Sequence, residues 1–191
     1  MILWAIFGYL LGSVPFGLVI TRALGLGDLR QIGSGNIGAT NVLRTGNKGA
    51  ALATLLLDSG KGAIAVMLAR HFAGETAAIL AGGAAFLGHC FPIWLRFKGG
   101  KGVATFLGTV IALNWPLGLI ACATWALTAA ITRISSLSAL LAAALAPVFA
   151  WGLGRTDIAA VAAFMAVLIF IRHHANISRL LAGTEPRIGR K

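Results

Sequence analysis

Long apolar runs alternate with short polar, glycine-rich or basic segments from one end of the chain to the other. Runs of about 20 apolar residues are long enough to cross a bilayer as helices. We predict seven spans, in chain order about Met1–Leu24, Gly49–Arg70, Thr76–Leu95, a short span ending near Leu113, Trp115–Thr132, Ser135–Leu153 and Asp157–Ile171. The fourth and seventh are shorter than the roughly 20 residues that a full crossing needs, so seven is a preferred count.

The first two predicted spans carry additional local signals. Gly8 and Gly12 form a small-x-x-x-small pattern that suits close helix packing, and Pro15 should kink the same helix. The polar run from Asp58 to Lys61 interrupts the second span near its middle. The first span lacks a basic leading region and a clear cleavage site, so we expect a retained helix and not a removed signal peptide.

Composition indicates a membrane protein and argues against a soluble domain. Of the 191 residues, 58% are hydrophobic and 11% are charged, whereas soluble domains usually have about 25% charged residues. The net charge of +11 would suit nucleic acid, but the basic residues cluster in loops between apolar runs, which membrane topology explains better. We therefore predict an all-α integral membrane bundle of about seven transmembrane helices, one domain over residues 1–191, with no nucleic-acid partner.

The positions of the basic residues also predict an orientation. With the N-terminus outside, thirteen lysines and arginines fall in the first, third and fifth loops and the tail, against two, Arg70 and Arg155, on the other side. Lysine and arginine are enriched in cytoplasmic loops. We therefore predict an outside N-terminus, a cytoplasmic C-terminus and cytoplasmic glycine-rich motifs.

Two glycine-rich segments are candidates for anion binding. Gly33–Asn41 reads G-S-G-N-I-G-A-T-N, and Lys98–Thr105 reads K-G-G-K-G-V-A-T. Successive amides in glycine-rich backbone can form an anion nest, and a following helix adds the positive end of its dipole. Phosphate is the first ligand to consider, although ordinary turns and lysines that contact lipid headgroups would give the same residues. Neither segment is a P-loop, since glycine follows Gly-Lys at Lys61 and at Lys101.

Further polar side chains lie within or beside the spans. Asp58 and Lys61, three residues apart, can pair on a helix and should face a polar interior, with a structural ion pair as the favoured interpretation. His173 and Asn176, also three apart, should share one helix face, where they could bind phosphate or hydroxyl or simply end an interfacial helix. Isolated candidates, which more often are structural or capping residues, are His89, Ser135, Ser136 and Ser138.

Several kinds of chemistry have no matching pattern in the sequence. Acidic residues number five, Asp28, Asp58, Glu75, Asp157 and Glu185, so no carboxylate cluster for a divalent metal is visible. No histidine is followed five residues later by aspartate, as an acyltransferase dyad requires, and no Ser-His-Asp or Cys-His set suggests itself. The two cysteines, Cys90 and Cys122, lack metal-like spacing. We predict no metal or cofactor and a site rich in anion donors.

Three motifs together resemble those of a known family. Gly33–Asn41 looks like the first signature of the bacterial membrane glycerol-3-phosphate acyltransferases that use acyl phosphate, the PlsY family. Gly88–Pro92 (G-H-C-F-P) with Phe97–Thr105 (F-K-G-G-K-G-V-A-T) resembles the second signature, and His173–Glu185 (H-H-A-N-I-S-R-L-L-A-G-T-E) resembles the third. The resemblance spans essentially the whole chain, in order and at the same length.

The resemblance implies transfer of a fatty acyl group from acyl phosphate to the 1-hydroxyl of glycerol 3-phosphate. The products would be 1-acyl-glycerol 3-phosphate (lysophosphatidic acid) and phosphate, in the first step of phospholipid synthesis. It also implies a multi-pass protein of the bacterial inner membrane, in contact with membrane lipid, whose active site faces the cytoplasm. A soluble enzyme that produces acyl phosphate is a candidate partner.

The same resemblance assigns roles to residues. Catalytic candidates are Ser34, Asn36, Lys101 and His173. Substrate-binding candidates are Gly33, Gly35, Thr40, Asn41, Arg44, Lys98, Gly99, Gly100, Gly102, Ser136, Ser138, Asn176 and Glu185. Ser136 and Ser138 are alternatives for one role, and Asp58, Lys61 and His89 are supporting residues. Because acyl phosphate is already activated, we expect no covalent intermediate and a donor phosphate oxygen that accepts the hydroxyl proton, with a histidine base as the alternative.

Two other functions fit part of the pattern. A small anion transporter would use the basic cytoplasmic loops, the interrupted second span and the polar pair, but no inverted repeat is visible, although transporters often have one. A non-catalytic membrane subunit that docks an acyl-phosphate-producing enzyme would also fit.

Overall fold

The computed structural model of the protein describes residues 1–189, and its regular elements are helices, with no strand in that range. In chain order the α-helices are α1 (Ile2–Gly12), α2 (Phe16–Ala23), α3 (Ala39–Val42), α4 (Lys48–Cys90), α5 (Val103–Leu113), α6 (Trp115–Thr132), α7 (Ser135–Gly152), α8 (Thr156–Arg172) and α9 (His174–Leu181). Short 3-10 helices occur at Leu29–Gln31, Leu43–Thr45 and Ile93–Leu95. The predicted all-α class is confirmed.

The chain forms two compact units. The first runs from Met1 to Leu113 and contains α1–α5, and the second begins at Asn114 and contains α6–α9. Arg190 and Lys191, which contributed to the predicted orientation, lie outside the described residues.

Helix α1 packs closely against the second half of α4. A methyl group at Gly8 would overlap the carbonyl oxygen of Ala81, and one at Gly12 would overlap that of Ala85. The predicted small-residue packing face is therefore confirmed. The predicted kink is confirmed as well, because α1 ends before Pro15 and α2 begins directly after it.

Helix α4 corrects three predictions about the second and third spans. Residues 58–61 are helical, so the polar run interrupts the hydrophobic pattern but not the backbone. The predicted loop between Arg70 and Thr76 is reduced to one residue, Gly74, with φ of 82° and ψ of −175°. The helix ends at Cys90 and not near Leu95, since Pro92 has no amide hydrogen with which to extend it.

Helix α5 lies against both halves of α4. The hydroxyl of Thr105 donates to the Asp58 carbonyl oxygen at 2.8 Å, and a methyl group at Gly108 would overlap the carbonyl oxygen of Ser59. At the other end of α5, the Arg70 guanidinium donates to the carbonyl oxygens of Ala112 and Leu113 at 2.6 and 2.9 Å. These contacts fix α5 at its first and last turns.

The second unit is built on alanine-rich packing. Helix α7 buries a stripe of small residues, Ala139, Ala142, Ala143, Ala146 and Ala150, and α8 buries Ile158, Ala162, Met165, Ala166 and Ile169. Helix α8 ends at Arg172, and α9 leaves it at a bend of 65°. His173 occupies the bend and precedes α9, so it and Asn176 do not lie within one regular helix, as the prediction of a shared helix face assumed.

The helices are suited to a membrane in length and composition. Within residues 1–189, four helical segments could span a bilayer, or five if α8 and α9 are one bent span. These four are α1 with α2, α4, α6 and α7, and α5 is a shorter apolar helix. The count of seven stays a prediction, because α4 is counted once despite its break at Gly74 and α5 has only 11 residues.

Candidate active site

Asn41 organises the first glycine-rich loop. Its side-chain amide donates to the carbonyl oxygens of Leu29 and Ile32, both at 2.9 Å. Its amide oxygen accepts from the Ser34 amide at 3.2 Å and from the Arg44 guanidinium at 3.3 Å. Asn41 is buried, whereas Ser34 and Arg44 are exposed. The structure therefore brings these three predicted residues together, with Asn41 holding the other two.

Two glycines in this loop are required by backbone geometry. Gly33 and Gly35 have φ of 53° and 68°, a region that residues with side chains adopt at a cost. A methyl group at Gly33 would also lie 2.6 Å from Arg44 Cδ and 2.8 Å from the amide oxygen of Asn41. The helix after the loop, α3, has only four residues, so the dipole support that the sequence predicts is slight.

An apolar cluster packs beneath the polar side chains of this loop and links it to α2 and α4. Its buried members come from α2, from the loop itself and from the start of α4, and they are Leu18, Leu29, Ile37, Val42, Ala50 and Ala51. A small local hydrophobic core thus stabilises the loop.

The glycines of the second loop serve close packing. The amides of Gly99 and Gly100 donate to the carbonyl oxygens of Cys90 and His89, both at 3.1 Å, so the loop folds back on the end of α4. A methyl group at Gly100 would overlap the His89 ring. Gly102 has φ of 84° and lies against the ring of Phe86. The amides of Gly99 and Gly100 therefore make hydrogen bonds within the protein, and the lysines are the candidate anion-binding groups of this loop.

Cations line a cleft beside the second loop. The cleft has a volume of about 400 Å³, and its lining residues are Arg30, Trp94, Leu95, Arg96 and Lys98. Lys98 is exposed and Lys101 is half-buried. Arg30 also pairs with Asp28, and its guanidinium lowers the pKa of that carboxyl to about 2. Arg30, Arg96 and Lys98 are therefore exposed cations beside the second loop.

The predicted pair of Asp58 and Lys61 is confirmed as an ion pair. Lys61 Nζ lies 2.9 Å from Asp58 Oδ1, and both side chains are almost completely buried. His89 Nδ1 lies 3.6 Å from the same carboxylate oxygen. The three supporting candidates thus form one buried polar cluster.

Glu185 accepts hydrogen bonds from three polar residues of the second unit. Its Oε1 accepts from the Ser136 hydroxyl at 2.7 Å and from the Asn176 amide at 2.5 Å, and its Oε2 accepts from Arg179 Nε at 2.6 Å. Burial raises the pKa of the Glu185 carboxyl, but these hydrogen bonds and the Arg179 charge outweigh it and lower the pKa overall. Glu185 therefore acts as an ionised acceptor at neutral pH.

The two alternative serines have different surroundings. The Ser138 hydroxyl donates to the Ile134 carbonyl oxygen of its own helix at 2.8 Å and is fully buried. Ser136 instead joins Asn176 on Glu185. The geometry thus favours Ser136 as the serine that belongs to the polar site.

His173 has a defined tautomer. Its Nδ1 lies 2.8 Å from the Ile169 carbonyl oxygen, and since a carbonyl oxygen only accepts, Nδ1 carries the hydrogen. In the neutral ring, Nε2 then has the lone pair and can accept a hydrogen bond. His173 is buried at the bend between α8 and α9.

Arg179 joins Ser136 and Asn176 on Glu185, but it is not among the site candidates named from the sequence. Arg179 was treated as a topology charge, yet it pairs with Glu185 at 2.6 Å. Its position three residues after Asn176, on one face of α9, is the signal that could have identified it.

The sequence matches a family model over almost its full length. The model describes glycerol-3-phosphate acyltransferases and matches residues 2–183. The chain belongs to the glycerol-3-phosphate acyltransferase family. A glycerol-3-phosphate acyltransferase from Cereibacter sphaeroides (strain ATCC 17025 / ATH 2.4.3) is 69% identical over 191 residues, which cover 100% of this chain and 91% of that protein. One from Dinoroseobacter shibae is 67% identical over 183 residues, covering 96% and 90%.

Crystal structures of one family member have the same fold. PlsY (YgiH), described as an integral membrane glycerol 3-phosphate acyltransferase, has been solved in a glycerol 3-phosphate form. That structure superimposes with a TM-score of 0.93 at 39% identity, covering 98% of this chain and 95% of that one. A lysophosphatidic acid form of PlsY gives a TM-score of 0.92 at 38% identity over the same shares. Like these relatives, the chain is an integral, multi-pass membrane protein.

Proposed function

We propose that the protein transfers a fatty acyl group from acyl phosphate to the 1-hydroxyl of glycerol 3-phosphate. The products are 1-acyl-glycerol 3-phosphate and phosphate. The observation that carries the proposal is the match to PlsY, whose solved forms contain glycerol 3-phosphate and lysophosphatidic acid, an acceptor and its acylated product. The exposed Ser34 and Arg44 and the cations beside the second loop suit the phosphates of such substrates.

The reaction takes place at the inner membrane of a bacterium, on its cytoplasmic side. The basic loops support this orientation, with seven spans formed by α1 with α2, the two halves of α4, α5, α6, α7 and α8. The first two motifs lie in the first unit and the third lies in the second unit. Because one family model matches residues 2–183, we treat residues 1–191 as a single acyltransferase domain, in contact with membrane lipid and supplied by a soluble acyl-phosphate-producing enzyme.

The donor and the acceptor each bring a phosphate to the site. Each phosphate carries about −1.5 to −2 charge near neutral pH, if it titrates as phosphoamino acids do. Lys101 and Arg44 offset the repulsion between them, and Ser34 and Asn36 add neutral donors. Cations that stabilise the departing phosphate also lower the barrier, because negative charge develops on that group in the transition state.

The chemical step needs no covalent intermediate. The acceptor 1-hydroxyl oxygen forms a bond to the acyl carbon, the bond from that carbon to the phosphate oxygen breaks, and its electron pair leaves with phosphate. The hydroxyl proton passes to a phosphate oxygen of the donor, while His173 Nε2 accepts from the 2-hydroxyl of the acceptor and so orients the molecule. Proximity and orientation of this kind can supply roughly 7–11 kcal/mol.

The purified protein in detergent tests this proposal, with palmitoyl phosphate and glycerol 3-phosphate as substrates and phosphate release as the readout. Release should require both substrates, fail with acyl-CoA as donor and fall at least about 100-fold in Lys101→Ala, since electrostatic stabilisers of this kind are worth that much. Arg22→Gln is the matched control, because Arg22 is an exposed cation of the same unit to which no role in substrate binding is assigned.

Two results would count against the proposal. Absence of phosphate release from well-folded protein would reject the acyltransferase activity, and a flux assay with labelled phosphate in vesicles would then test transport. A pH–rate break that disappears in His173→Ala while substrate binding is kept would replace the substrate-assisted step with a histidine base.

A further inference from the structure

Asp58 and Lys61 place two opposite charges inside a predicted membrane span. Each residue is 2% exposed, and insertion of an unpaired charge at the centre of a span is unfavourable. A buried pair is stabilising only where further polar partners complete it. The partners of this pair come from three different parts of the first unit.

Lys61 binds the linker between α1 and α2. Its Nζ donates to the Val14 carbonyl oxygen at 2.9 Å, in the non-helical segment that precedes Pro15. The Phe16 ring lies beside the ammonium, with its centroid at 5.7 Å. Lys61 therefore joins the first half of α4 to the break in the first span.

Asp58 contacts residues on both sides of the second glycine-rich loop, with its side chain before the loop and its backbone after it. Before the loop, its Oδ1 faces His89 Nδ1 at 3.6 Å, and the backbone oxygen of His89 accepts from the Gly100 amide at 3.1 Å. After the loop, the Asp58 carbonyl oxygen accepts from the Thr105 hydroxyl in the first turn of α5. Lys101 lies between these two attachment points.

We propose that Asp58 and Lys61 are positioning residues for the loop that carries Lys101. The two charges join the linker at Val14 to His89, directly before this loop, and the backbone of residue 58 holds the first turn of α5 after it, so the position of Lys101 depends on charges that do not touch substrate. The catalytic consequence rests on the proposed acyl transfer, whereas the structural consequence does not.

Two variants separate a positioning role from a catalytic one. Lys61→Met leaves Asp58 charged and buried, and it should lower kcat by about 10- to 100-fold, the range expected when a reacting group is displaced by about 1 Å. KM for both substrates should change less than about threefold, since the loop's cations remain present. The double variant Asp58→Asn with Lys61→Met leaves no unpaired buried charge, so it should regain the folded-state stability that Lys61→Met loses. It still lacks the Val14 contact, so it should not regain kcat.

Hydrogen–deuterium exchange gives a readout that does not depend on activity. The Gly99 and Gly100 amides should exchange at least about tenfold faster in Lys61→Met, because their opening reports on local stability. Arg70→Met is the matched control: it removes another ion pair of α4, to Glu75 at 2.7 Å, but at the other end of α5. Exchange at Gly99 and Gly100 should be unchanged there.

The outcomes are distinct. Loss of kcat in both variants with unchanged exchange at Gly99 and Gly100 would overturn the proposal. Full recovery of kcat in the double variant would overturn it too, because the loop would then not depend on the two charges. If Lys61→Met does not fold, Asp58→Asn keeps the side-chain shape and the Val14 contact, and the same exchange comparison decides. If wild-type protein lacks acyltransferase activity, the proposed function fails, while the exchange comparison still supports or rejects the positioning role.

Discussion

At the scale of single residues, Glu185 is the acceptor on which three donors of the second unit converge. Its neighbours Ser136, Asn176 and Arg179 all direct hydrogen bonds to one buried carboxylate. A carboxylate so placed would repel a substrate phosphate, so its contribution is to hold the donors and not to bind substrate directly. Its position between those donors makes their arrangement sensitive to its charge.

This arrangement predicts a pH-dependent stability. The pKa of Glu185 is lowered in the folded protein below its usual value of 4.5, so its stabilising effect is complete above about pH 4.5 and is lost as pH falls through the folded pKa. Glu185→Gln should lower the melting temperature in detergent at pH 7, and the difference from wild type should shrink below about pH 4.5. An equal difference at both pH values would contradict this account.

The sequence predicts which residues lie together in the candidate site. It does not predict which of them make hydrogen bonds within the protein. The motifs named Asn41, Gly99 and Glu185 as substrate contacts because all three lie in signature segments. Asn41 and the Gly99 amide instead make hydrogen bonds within the protein. Spacing reveals which residues lie near one another, whereas the direction of each hydrogen bond depends on backbone carbonyls that carry no side-chain signal.

At the scale of elements, Gly74 decides where the long helix α4 is divided. The predicted spans leave a five-residue loop between Arg70 and Thr76, yet Arg70 and Glu75 pair across a one-residue break. Hydropathy locates such a boundary only approximately, since the helix continues through polar residues. The positive φ of Gly74 is a property of the backbone that the hydrophobic pattern does not report.

Replacement of Gly74 tests this break. The site has open space for a methyl group, so the cost of Gly74→Ala is the backbone conformation alone, about 1–3 kcal/mol. Gly60→Ala is the matched control: it lies in the same helix with equally open surroundings but helical backbone, and it should stabilise by up to about 1 kcal/mol. Thermal denaturation in detergent measures both. Equal effects of the two substitutions would show that the break does not depend on glycine.

At the scale of the whole molecule, the helical class and most helix boundaries followed from apolar run length, because each run has to satisfy its backbone internally. Both short predicted spans exist as helices, α5 and α8. The division at Asn114 into two units had no counterpart in the sequence, since α5 and α6 are separated by a single residue. Orientation depends on charges outside the helices and is tested by labelling.

Cysteine labelling tests the span count and the orientation. In a background without Cys90 and Cys122, Lys48→Cys and Thr156→Cys place one thiol in the first and in the sixth predicted loop, both at exposed positions. A membrane-impermeant thiol reagent should label Lys48→Cys only from the cytoplasmic face and Thr156→Cys only from the opposite face. The reverse pattern would invert the orientation, and labelling from one face would exclude seven spans.

The contact between Lys61 and Val14 also bears on biogenesis. Insertion of Lys61 into the bilayer with the second span would be unfavourable without partners. Asp58 lies on the same helix and pairs with it. The Val14 carbonyl, its second partner, belongs to the first span, which is synthesised earlier. Release of the second span from the translocon should therefore be most efficient while the first span is still adjacent. The two spans would then leave the translocon as a hairpin, already joined by the hydrogen bond that persists in the mature protein.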